Sequence, residues 1–370
     1  MKRIAILTSS RADYGIYLPL LKTIKEDPFF ELKIIAFGTH LSLYHGYTIN
    51  QILNDGFEVS YQIESMLTDD SPNAISTAMA LTSLKFADFW KDHHHDFDLV
   101  FCLGDRYEMF AAVSAGIPFN IPFAHLHGGE KTLGAIDNIF RHAITLASKY
   151  HFVSCKEHSE RVAELTESKA NIFDIGALGL DNLTSLTLLS KEDFYIKFGV
   201  DLNQPTILAT IHPETVSPEM NRIYIEELAS TLLELKNYQV IITLPNADIS
   251  GFIIRNRLLQ LPQESDNRIL CFENLGSQAY FTAMKFCSFM LGNTSSGIIE
   301  AASFGKWVVN LGNRQKGRKQ SLNCFNVPFN KSMIVQSVAE IENKPVYSGK
   351  NIYYKGNAAI IICSILKRLL

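Results

Sequence analysis

Carboxylates and imidazoles cluster in this sequence directly after short apolar segments. Chemistry that moves a proton on a carbon atom needs a base and an acid with separated pKa values, and closely placed carboxylates and imidazoles supply such a pair. Taken singly, Asp105 has an alternative role as a partner of Arg106 or as a helix cap. Asp137 has one as the cap of a helix that carries Arg141 and His142. The candidates for proton transfer are Asp105, His127, Glu130, Asp137 and His212.

A second group has the residue types of an anion site. The loop Gly292–Gly297 contains small residues and hydroxyls, and it precedes a predicted helix whose unpaired backbone N–H groups attract negative charge. A plain helix cap at Thr294 or Ser295 is the alternative. Glu300, one turn into that helix, is a candidate to accept hydrogen bonds from a ribose diol. The loop residues in this prediction are Thr294, Ser295, Ser296 and Gly297.

Arginines beside predicted strand ends supply positive charge for a diphosphate. A guanidinium holds phosphate oxygens through two parallel hydrogen bonds. Arg11 and Arg314 are the preferred candidates, and Arg106, next to Asp105, is a third. For Arg318 a surface salt bridge is the preferred interpretation.

These residues need a sheet whose strands end at one edge. Runs rich in Val, Ile and Phe alternate with amphipathic segments such as Tyr17–Lys25 and Arg141–Ser148, which predicts parallel sheets covered by helices on both faces. The predicted strands are Arg3–Thr8, Leu32–Phe37, Leu99–Leu103, Pro122–His125, Tyr150–Val153, Asn171–Ile175, Thr206–Ile211, Gln239–Thr243, Ile269–Phe272, Phe289–Leu291 and Trp307–Asn310.

The strand pattern begins again after Gly179, which predicts an α/β fold of two doubly wound, Rossmann-like domains with a boundary within residues 176–190. Ligands of open α/β sheets bind beyond the carboxyl ends of the strands. We therefore expect an active site in the cleft between the domains, built from both halves of the chain.

Composition and charge exclude several classes of protein. The 370 residues are 47% hydrophobic and 19% charged, which excludes an intrinsically disordered chain. The 34 Lys and Arg against 38 Asp and Glu give a net charge of −4, so no basic field exists for a nucleic-acid partner. No signal peptide and no membrane span is predicted. The six cysteines are scattered without a CxxC pair, which predicts reduced thiols in a cytoplasmic protein.

Taken in order, the segments that carry chemistry resemble the hydrolysing UDP-N-acetylglucosamine 2-epimerases of bacterial sialic acid biosynthesis. The resemblance covers nearly the whole chain. The matching stretches are SRADYG, GTHL, LGDRYE, HLHGGEKT, FRHAIT, HPET, PNAD, GNTSSGIIE, NLGNRQKGR and KGNAA.

The resemblance implies a GT-B fold with a sugar-binding domain at residues 1–178 and a UDP-binding domain at residues 179–370. It also implies that the last helix, residues 357–370, packs back on the first domain. The implied reaction converts UDP-N-acetylglucosamine and water to N-acetylmannosamine and UDP, by anti elimination to a 2-acetamidoglucal and addition of water. No cofactor and no metal is expected, and the family resemblance suggests a homodimer or a homotetramer.

Site residues carry over by motif. At the nucleotide, the matching positions are Arg11, Thr294, Ser295, Glu300 and Arg314. We expect Asp105 and Glu130 to transfer protons. Asp137 is expected to hold the sugar or its water, and His212 to contact a phosphate or the leaving group. The residues expected at the sugar itself are His40 and Asn246.

The chain departs from the family pattern at His127. Many relatives have Glu at this position and use it in proton transfer, so the role passes here to His127 or to Glu130. The loop sequence Asn293-Thr294-Ser295 stands where Asn-Ser-Ser is common, a change that keeps the hydroxyl.

Other functions share these motifs. A hydrolysing epimerase of a 6-deoxy diacetamido sugar, such as UDP-diacetylbacillosamine of the legionaminic acid route, would differ at contacts to C4 and C6. A non-hydrolysing epimerase would retain UDP on its product. A non-catalytic UDP-sugar sensor would lose the carboxylates, whereas Asp105, Glu130 and Asp137 are all present.

Overall fold

The computed structural model describes residues 1–69, 71–245 and 251–370. They form two compact units, the first made of residues 1–130, 137–185 and 353–370 and the second of residues 131–136 and 186–352. The first unit continues past residue 178 to Ser185, inside the boundary region 176–190, and it includes the end of the chain, where the resemblance placed the last helix. The short segment 131–136, which the sequence analysis placed in the first domain, belongs to the second unit.

Each unit contains a parallel sheet, which confirms the predicted fold class. The strands of the first unit are β1 (Lys2–Thr8), β2 (Phe30–Phe37), β3 (Tyr61–Ile63), β4 (Leu99–Leu103), β5 (Phe123–Leu126), β6 (Tyr150–Val153) and β7 (Ile172–Asp174). Those of the second are β8 (Thr206–Thr210), β9 (Gln239–Thr243), β10 (Ile269–Phe272), β11 (Phe289–Gly292), β12 (Val308–Leu311) and β13 (Cys324–Val327). Among the described residues the orders are β3-β2-β1-β4-β5-β6-β7 and β10-β9-β8-β11-β12-β13.

Helices connect the strands, as parallel pairing requires. In the first half of the chain they are α1 (Arg11–Glu26), α2 (Ile49–Asn54), α3 (Pro72–His93), α4 (Tyr107–Gly116), α5 (Asp137–Ala147), α6 (Lys156–Thr166) and α7 (Asn182–Ser185). They continue with α8 (Lys191–Phe198), α9 (Asn221–Glu234), α10 (Gly251–Leu258), α11 (Leu261–Glu264), α12 (Gly276–Phe286), α13 (Ser295–Ile299), α14 (Lys331–Glu342) and α15 (Ala358–Leu369). Within the described ranges, every helix is too short or too polar to serve as a transmembrane span.

The first sheet is buried on both faces. Successive residues of β1 point to opposite sides, so Ile4 and Ile6 join one apolar cluster while Ala5 and Leu7 join another. The last helix, α15, contributes Ile362 to the cluster of Ile4 and Ile6. The end of the chain is therefore part of the core of the first unit.

Two histidines lie inside this sheet. His125 in β5 and His151 in β6 are register partners in adjacent strands, and both are buried. Burial lowers the pKa of His125 to about 3 and that of His151 to about 4. The folded chain therefore keeps both imidazoles neutral at pH values where an exposed histidine is protonated.

Acid is expected to destabilise the chain below about pH 6.5, the ordinary histidine pKa. Between that pH and about 4 the unfolded chain binds more protons than the folded chain, so the free energy of unfolding falls as pH falls, by up to about 1.4 kcal/mol per pH unit for each histidine. Urea unfolding across this range measures the slope. His151→Leu removes one of the two titrating groups and should make the slope shallower. A stability that is independent of pH in this window, or a slope that His151→Leu leaves unchanged, would contradict this assignment.

Candidate active site

The predicted site residues follow the central strands of each sheet. In each sheet the strand that comes first in the sequence is an interior strand, and the strands that follow it are added on its two sides. β1 lies between β2 and β4, and β8 lies between β9 and β11. Connections diverge at such a switch point, which is where open α/β sheets bind ligands. Arg11 begins the helix that follows β1, and the loops after β4, β8 and β11 contain Asp105, His212 and Thr294 respectively.

Asp13 fixes the loop after β1. Its carboxylate accepts hydrogen bonds from the backbone N–H and the hydroxyl of Ser9, both at 2.9 Å, and from the Thr8 hydroxyl at 2.5 Å. Burial by itself raises the pKa of this carboxyl, but the His40 imidazole and these hydrogen bonds hold it below its ordinary value. These hydrogen bonds hold the loop that precedes Arg11, the first residue of α1.

Both ring nitrogens of His40 are engaged by hydroxyl groups. Its side chain is 0% exposed, with one ring nitrogen 2.9 Å from Thr8 Oγ1 and the other 2.8 Å from Thr48 Oγ1. This burial gives His40 a structural role in the loop, and its contact with the sugar stays a prediction. A polar residue after a strand also occurs where a loop needs internal support, and the sequence pattern does not separate the two cases.

A neutral histidine holds the turn after β4. Gly104 has a positive φ of 76°, a conformation that favours glycine, and its carbonyl oxygen accepts a hydrogen bond from His125 Nε2 at 2.8 Å. Nδ1 of the same ring lies 3.1 Å from Thr145 Oγ1. The next residue, Asp105, consequently projects from a fixed backbone.

Charged groups connect three of the predicted residues. Arg141 pairs through Nη2 with Asp105 and through Nη1 with Glu130 Oε2, the latter at 3.2 Å. Glu130 Oε1 accepts hydrogen bonds from His127 Nδ1 at 2.7 Å and from Ser154 Oγ at 3.1 Å. The structure therefore brings Asp105, His127 and Glu130 together around Arg141. We call the connected series Asp105, Arg141, Glu130 and His127 the charged chain.

His127 has an unusual backbone conformation. Its φ of 63° lies in the left-handed region, which non-glycine residues seldom adopt and which is frequent at functional sites. The backbone N–H donates to Phe152 O at 3.1 Å. Because Nδ1 donates to the Glu130 carboxylate, a neutral ring carries its lone pair on Nε2. In that tautomer, Nε2 is the ring nitrogen that would act as a base.

Glu130 is placed to orient the imidazole. It is 1% exposed, and both of its oxygens accept hydrogen bonds from protein side chains. Glu130 and His127 are both buried, so burial alone does not choose between them, and proton transfer by Glu130 stays a prediction. Its position beside His127 and Arg141 supports the other alternative, in which the imidazole takes the role.

Asp137 is the first residue of α5 and lies one turn before Arg141. Side chains four residues apart share a face of a helix, so both groups project from one side of α5. Asp137 is half-buried. A carboxylate in the first turn also favours the helix dipole, so its alternative role at the helix terminus stays open.

Arg106 pairs with a carboxylate that the sequence analysis did not consider. Its Nε donates to Glu108 Oε1 at 2.6 Å, and its guanidinium lies 5.8 Å from the centre of the Tyr107 ring. Burial raises the pKa of Glu108 above its ordinary value, although the Arg106 charge opposes that shift. Arg106 is thus anchored at the start of α4, and its contact with UDP stays a prediction.

In the second unit, Asn293 holds the loop after β8. Its Oδ1 accepts a hydrogen bond from His212 N–H at 2.7 Å, and its Nδ2 donates to His212 O at 2.8 Å. Gln315 Nε2 in turn donates to the Asn293 carbonyl oxygen at 2.8 Å. One buried amide side chain therefore pairs both backbone groups of the predicted site residue His212.

The predicted nucleotide loop begins at a glycine that no other residue can replace. Gly292 has a φ of 137°, and a Cβ at this position would collide with Thr210 O. Thr294 caps α13 by accepting a hydrogen bond from Ser296 N–H at 3.4 Å, the alternative weighed from the sequence. The Ser296 hydroxyl lies 2.5 Å from the Tyr280 hydroxyl.

The helix after this loop is shorter than expected. It spans only Ser295–Ile299, and Glu300 is its C-cap rather than a residue one turn into a long helix. So short a helix has little macrodipole. What the loop offers an anion is therefore its hydroxyls and backbone N–H groups, with Gly297 packed closely against Val308.

Glu214 fixes the loop that carries Arg314. Its Oε1 accepts hydrogen bonds from the backbone N–H of Asn313 at 2.5 Å and of Arg314 at 3.2 Å. Gly312 has a φ of 67°, and a Cβ there would collide with the Glu214 carboxylate. The predicted UDP ligand Arg314 therefore extends from a backbone that a buried carboxylate holds in place.

Several residues that build the site were not assigned to it from the sequence. All of them except Ser154 lie in stretches that had been matched for other residues, and that match was the available signal. They are Glu108, Arg141, Ser154, Glu214, Asn293 and Gln315. The predicted sugar-binding residue Asn246 falls outside the described residues.

Comparison with known proteins places the chain among sugar-nucleotide epimerases. Residues 22–367 match the protein family described as UDP-N-acetylglucosamine 2-epimerase. The chain is 35% identical to the polysialic acid biosynthesis protein P7 of Escherichia coli, over 99% of this chain and 94% of that protein. It is also 35% identical to the hydrolysing GDP/UDP-N,N'-diacetylbacillosamine 2-epimerase of Campylobacter jejuni, over 93% of this chain and 88% of that protein.

A solved structure shows the same fold. The UDP-GlcNAc 2-epimerase from Neisseria meningitidis bound to UDP-GlcNAc superposes with a TM-score of 0.83 at 18% identity, and the match covers 100% of both chains. At this identity the likeness concerns the fold, and it agrees with the GT-B class expected from the resemblance. The family match and the 35% identical relatives go further. This chain belongs to the UDP-N-acetylglucosamine 2-epimerase family.

Proposed function

We propose that this chain is a cytoplasmic, cofactor-independent hydrolysing 2-epimerase that converts UDP-N-acetylglucosamine and water to N-acetylmannosamine and UDP, as a homodimer or homotetramer. The observation that carries the proposal is the charged chain, which presents a basic Nε2 of His127 and supports it with the buried Glu130 carboxylate. An imidazole oriented by a carboxylate is a common general base.

The first half of the reaction is an elimination. Nε2 of His127 removes H-2 of the sugar, and the electrons of that C–H bond form the C1=C2 double bond. The anomeric C1–O bond breaks, and UDP leaves with the bonding electron pair. The Glu130 carboxylate stabilises the imidazolium that forms, and the Asp105 carboxylate stabilises positive character at C1. The product is 2-acetamidoglucal.

The second half adds water across the double bond. The hydroxyl bonds to C1 and a proton bonds to C2 on the face opposite to the one that lost H-2, which inverts C2 and gives the manno configuration. We assign the delivery of this proton to Asp105, which takes it up from solvent after UDP has left. The attacking water and the His127 imidazolium each release a proton to solvent, and Asp137 holds the sugar or the water. The free sugar and UDP are then released.

Residues of the second unit are assigned to UDP, with Arg11 and Arg106 added from the first. Hydroxyls and backbone N–H groups of the loop after β11 suit the diphosphate, and Glu300 suits the ribose diol. His212 contacts the leaving diphosphate. The UDP-binding set is Arg11, Arg106, Thr294, Ser295, Ser296, Gly297, Glu300 and Arg314.

A second substrate is favoured by a specific observation. The Campylobacter jejuni relative, which is as similar as the Escherichia coli one, is described as a hydrolysing diacetylbacillosamine 2-epimerase. UDP-diacetylbacillosamine undergoes the same chemistry at C1 and C2 and differs from UDP-N-acetylglucosamine at C4 and C6. The distinction therefore lies in contacts to those substituents.

Release of free UDP from the two UDP-sugars tests the proposal and selects the substrate. We expect one of them to yield UDP and a free 2-epimerised sugar with at least about tenfold higher kcat/KM, an effect of roughly 1.4 kcal/mol. Asp105→Asn should abolish turnover but leave the Kd for UDP unchanged, because Asp105 acts at the sugar. Retention of UDP on the product would establish a non-hydrolysing epimerase, and UDP-sugar binding without turnover would establish a sensor.

A further inference from the structure

The chain crosses between its two units at two residues of the candidate site. Residues 1–130 belong to the first unit, residues 131–136 to the second, and residues from Asp137 onward again to the first. Glu130 is thus covalently joined to one end of this six-residue segment, and Asp137 to the other. We call residues 131–136 the crossing segment.

The second unit holds the crossing segment through its backbone. Leu133 N–H donates to Lys316 O at 3.0 Å. A Cβ on Gly134 would collide with the backbone of Asn313, so the segment approaches that loop as closely as glycine allows. Both contacts are made by the loop that carries Arg314.

A side chain completes this attachment. Ile136 N–H donates to the Thr215 hydroxyl oxygen at 3.0 Å. Ile136 is the last residue of the crossing segment, and the next residue is Asp137, where α5 begins. The Thr215 hydroxyl therefore fixes the peptide from which the Asp137 side chain starts.

The loop that carries Thr215 is itself rigid. Glu214, the residue before Thr215, accepts hydrogen bonds from two backbone N–H groups of the Arg314 loop. The Glu214 backbone N–H donates to the Asn221 side chain, and the Glu214 carbonyl oxygen accepts a hydrogen bond from it. At the start of the same loop, Asn293 holds the backbone of His212. A hydroxyl on so fixed a loop is able to set the position of a neighbouring backbone.

We propose that Thr215 is a positioning residue that sets Asp137 through the N–H of Ile136. This inference rests on the proposed function, in which Asp137 holds the sugar or the attacking water. Misplacement of such a group costs rate rather than UDP affinity, because the Thr215 hydroxyl bonds to the Ile136 N–H and not to a residue assigned to UDP.

The test is Thr215→Val, which keeps the shape of the side chain and removes the hydroxyl, with Thr215→Ser as the variant that retains it. Thr215→Val should lower kcat by about tenfold and leave the Kd for UDP within about twofold, whereas Thr215→Ser should keep kcat within about twofold. Thr282→Val is the matched control, since the Thr282 hydroxyl also accepts a backbone N–H, that of Leu189, at 3.0 Å in the same unit. It should leave kcat unchanged.

Amide hydrogen exchange provides a readout that does not depend on activity. Exchange of the Ile136 amide in the full-length protein should be about fivefold faster in Thr215→Val, the factor that corresponds to loss of one ordinary hydrogen bond. It should be unchanged in Thr215→Ser and Thr282→Val.

Each result decides the assignment. Wild-type kcat in Thr215→Val, or a lowered kcat with unchanged Ile136 exchange, would overturn it. Failure of the proposed function has a different signature, because the wild type would then release UDP from neither sugar while Ile136 exchange would still respond to Thr215→Val. Tenfold slower turnover together with faster Ile136 exchange supports the positioning role.

Discussion

Arg141→Met should lower the free energy of unfolding by about 3–5 kcal/mol and abolish turnover, the scale observed when one partner of a buried ion pair is removed. Arg141 is 2% exposed and pairs with Asp105 and with Glu130, which is itself buried. Its loss removes the guanidinium that pairs with both carboxylates. Urea unfolding at neutral pH measures the first effect, and UDP release measures the second.

Arg257→Met is the matched control for Arg141→Met. Arg257 also pairs with two carboxylates, Glu226 and Glu264, at 3.0 Å and 2.8 Å. Those side chains are 58% and 38% exposed, so water stabilises them when the arginine is absent. We expect a loss of only about 0–1 kcal/mol and normal turnover. Equal losses in the two variants would contradict the account of the charged chain.

Arg141→Lys separates charge from geometry. A lysine ammonium is a point charge and cannot present the planar fork that reaches Asp105 and Glu130 from different nitrogens. We therefore expect Arg141→Lys to recover part of the stability and little of the turnover. Full recovery of turnover would show that charge alone is sufficient.

His127→Asn should reduce single-turnover UDP release by about 10³-fold, within the range that a general base contributes. Asparagine tolerates the positive φ of this position, so the substitution removes the base with little backbone strain. Glu130→Gln should reduce it less, by about 10–100-fold, the usual effect of changing a group that orients a functional histidine. The order of the two effects identifies the base.

His93→Asn is the control for the imidazole. His93 Nδ1 lies 2.7 Å from Asp96 Oδ2 across three residues, the same spacing and distance as His127 and Glu130, but at the partly exposed end of α3. Its substitution should leave UDP release unchanged. An inactive Glu130→Gln beside a His127→Asn variant within about tenfold of the wild type would instead make Glu130 the base.

The central strands were predictable because burial on both faces requires continuous apolar runs. Leu99–Leu103, Tyr150–Val153 and Gln239–Thr243 have the predicted bounds, and so does the edge strand Ile269–Phe272, whose Ile-Leu-Cys-Phe run is apolar throughout. The edge strands Tyr61–Ile63 and Cys324–Val327 were missed. Both are short and contain polar residues, since an edge strand does not need two buried faces, and the pattern that identifies central strands is therefore absent.

The site was predictable where residue type determines chemistry, and less so where packing does. The sequence singled out Asp105, His127 and Glu130, but the amphipathic pattern of α5 predicted Arg141 only as a helix residue. His40 has the residue type of a ligand contact, and its burial depends on tertiary packing. Likewise, no local pattern indicates that residues 131–136 belong to the second unit.

Incubation in deuterated water with UDP-N-acetylglucosamine and, separately, with UDP-diacetylbacillosamine tests the central claim most directly. Elimination followed by addition of solvent predicts free UDP and a free sugar of inverted configuration that carries one deuterium at C2. A product that keeps its original hydrogen at C2, or that still carries UDP, would contradict the hydrolysing elimination mechanism.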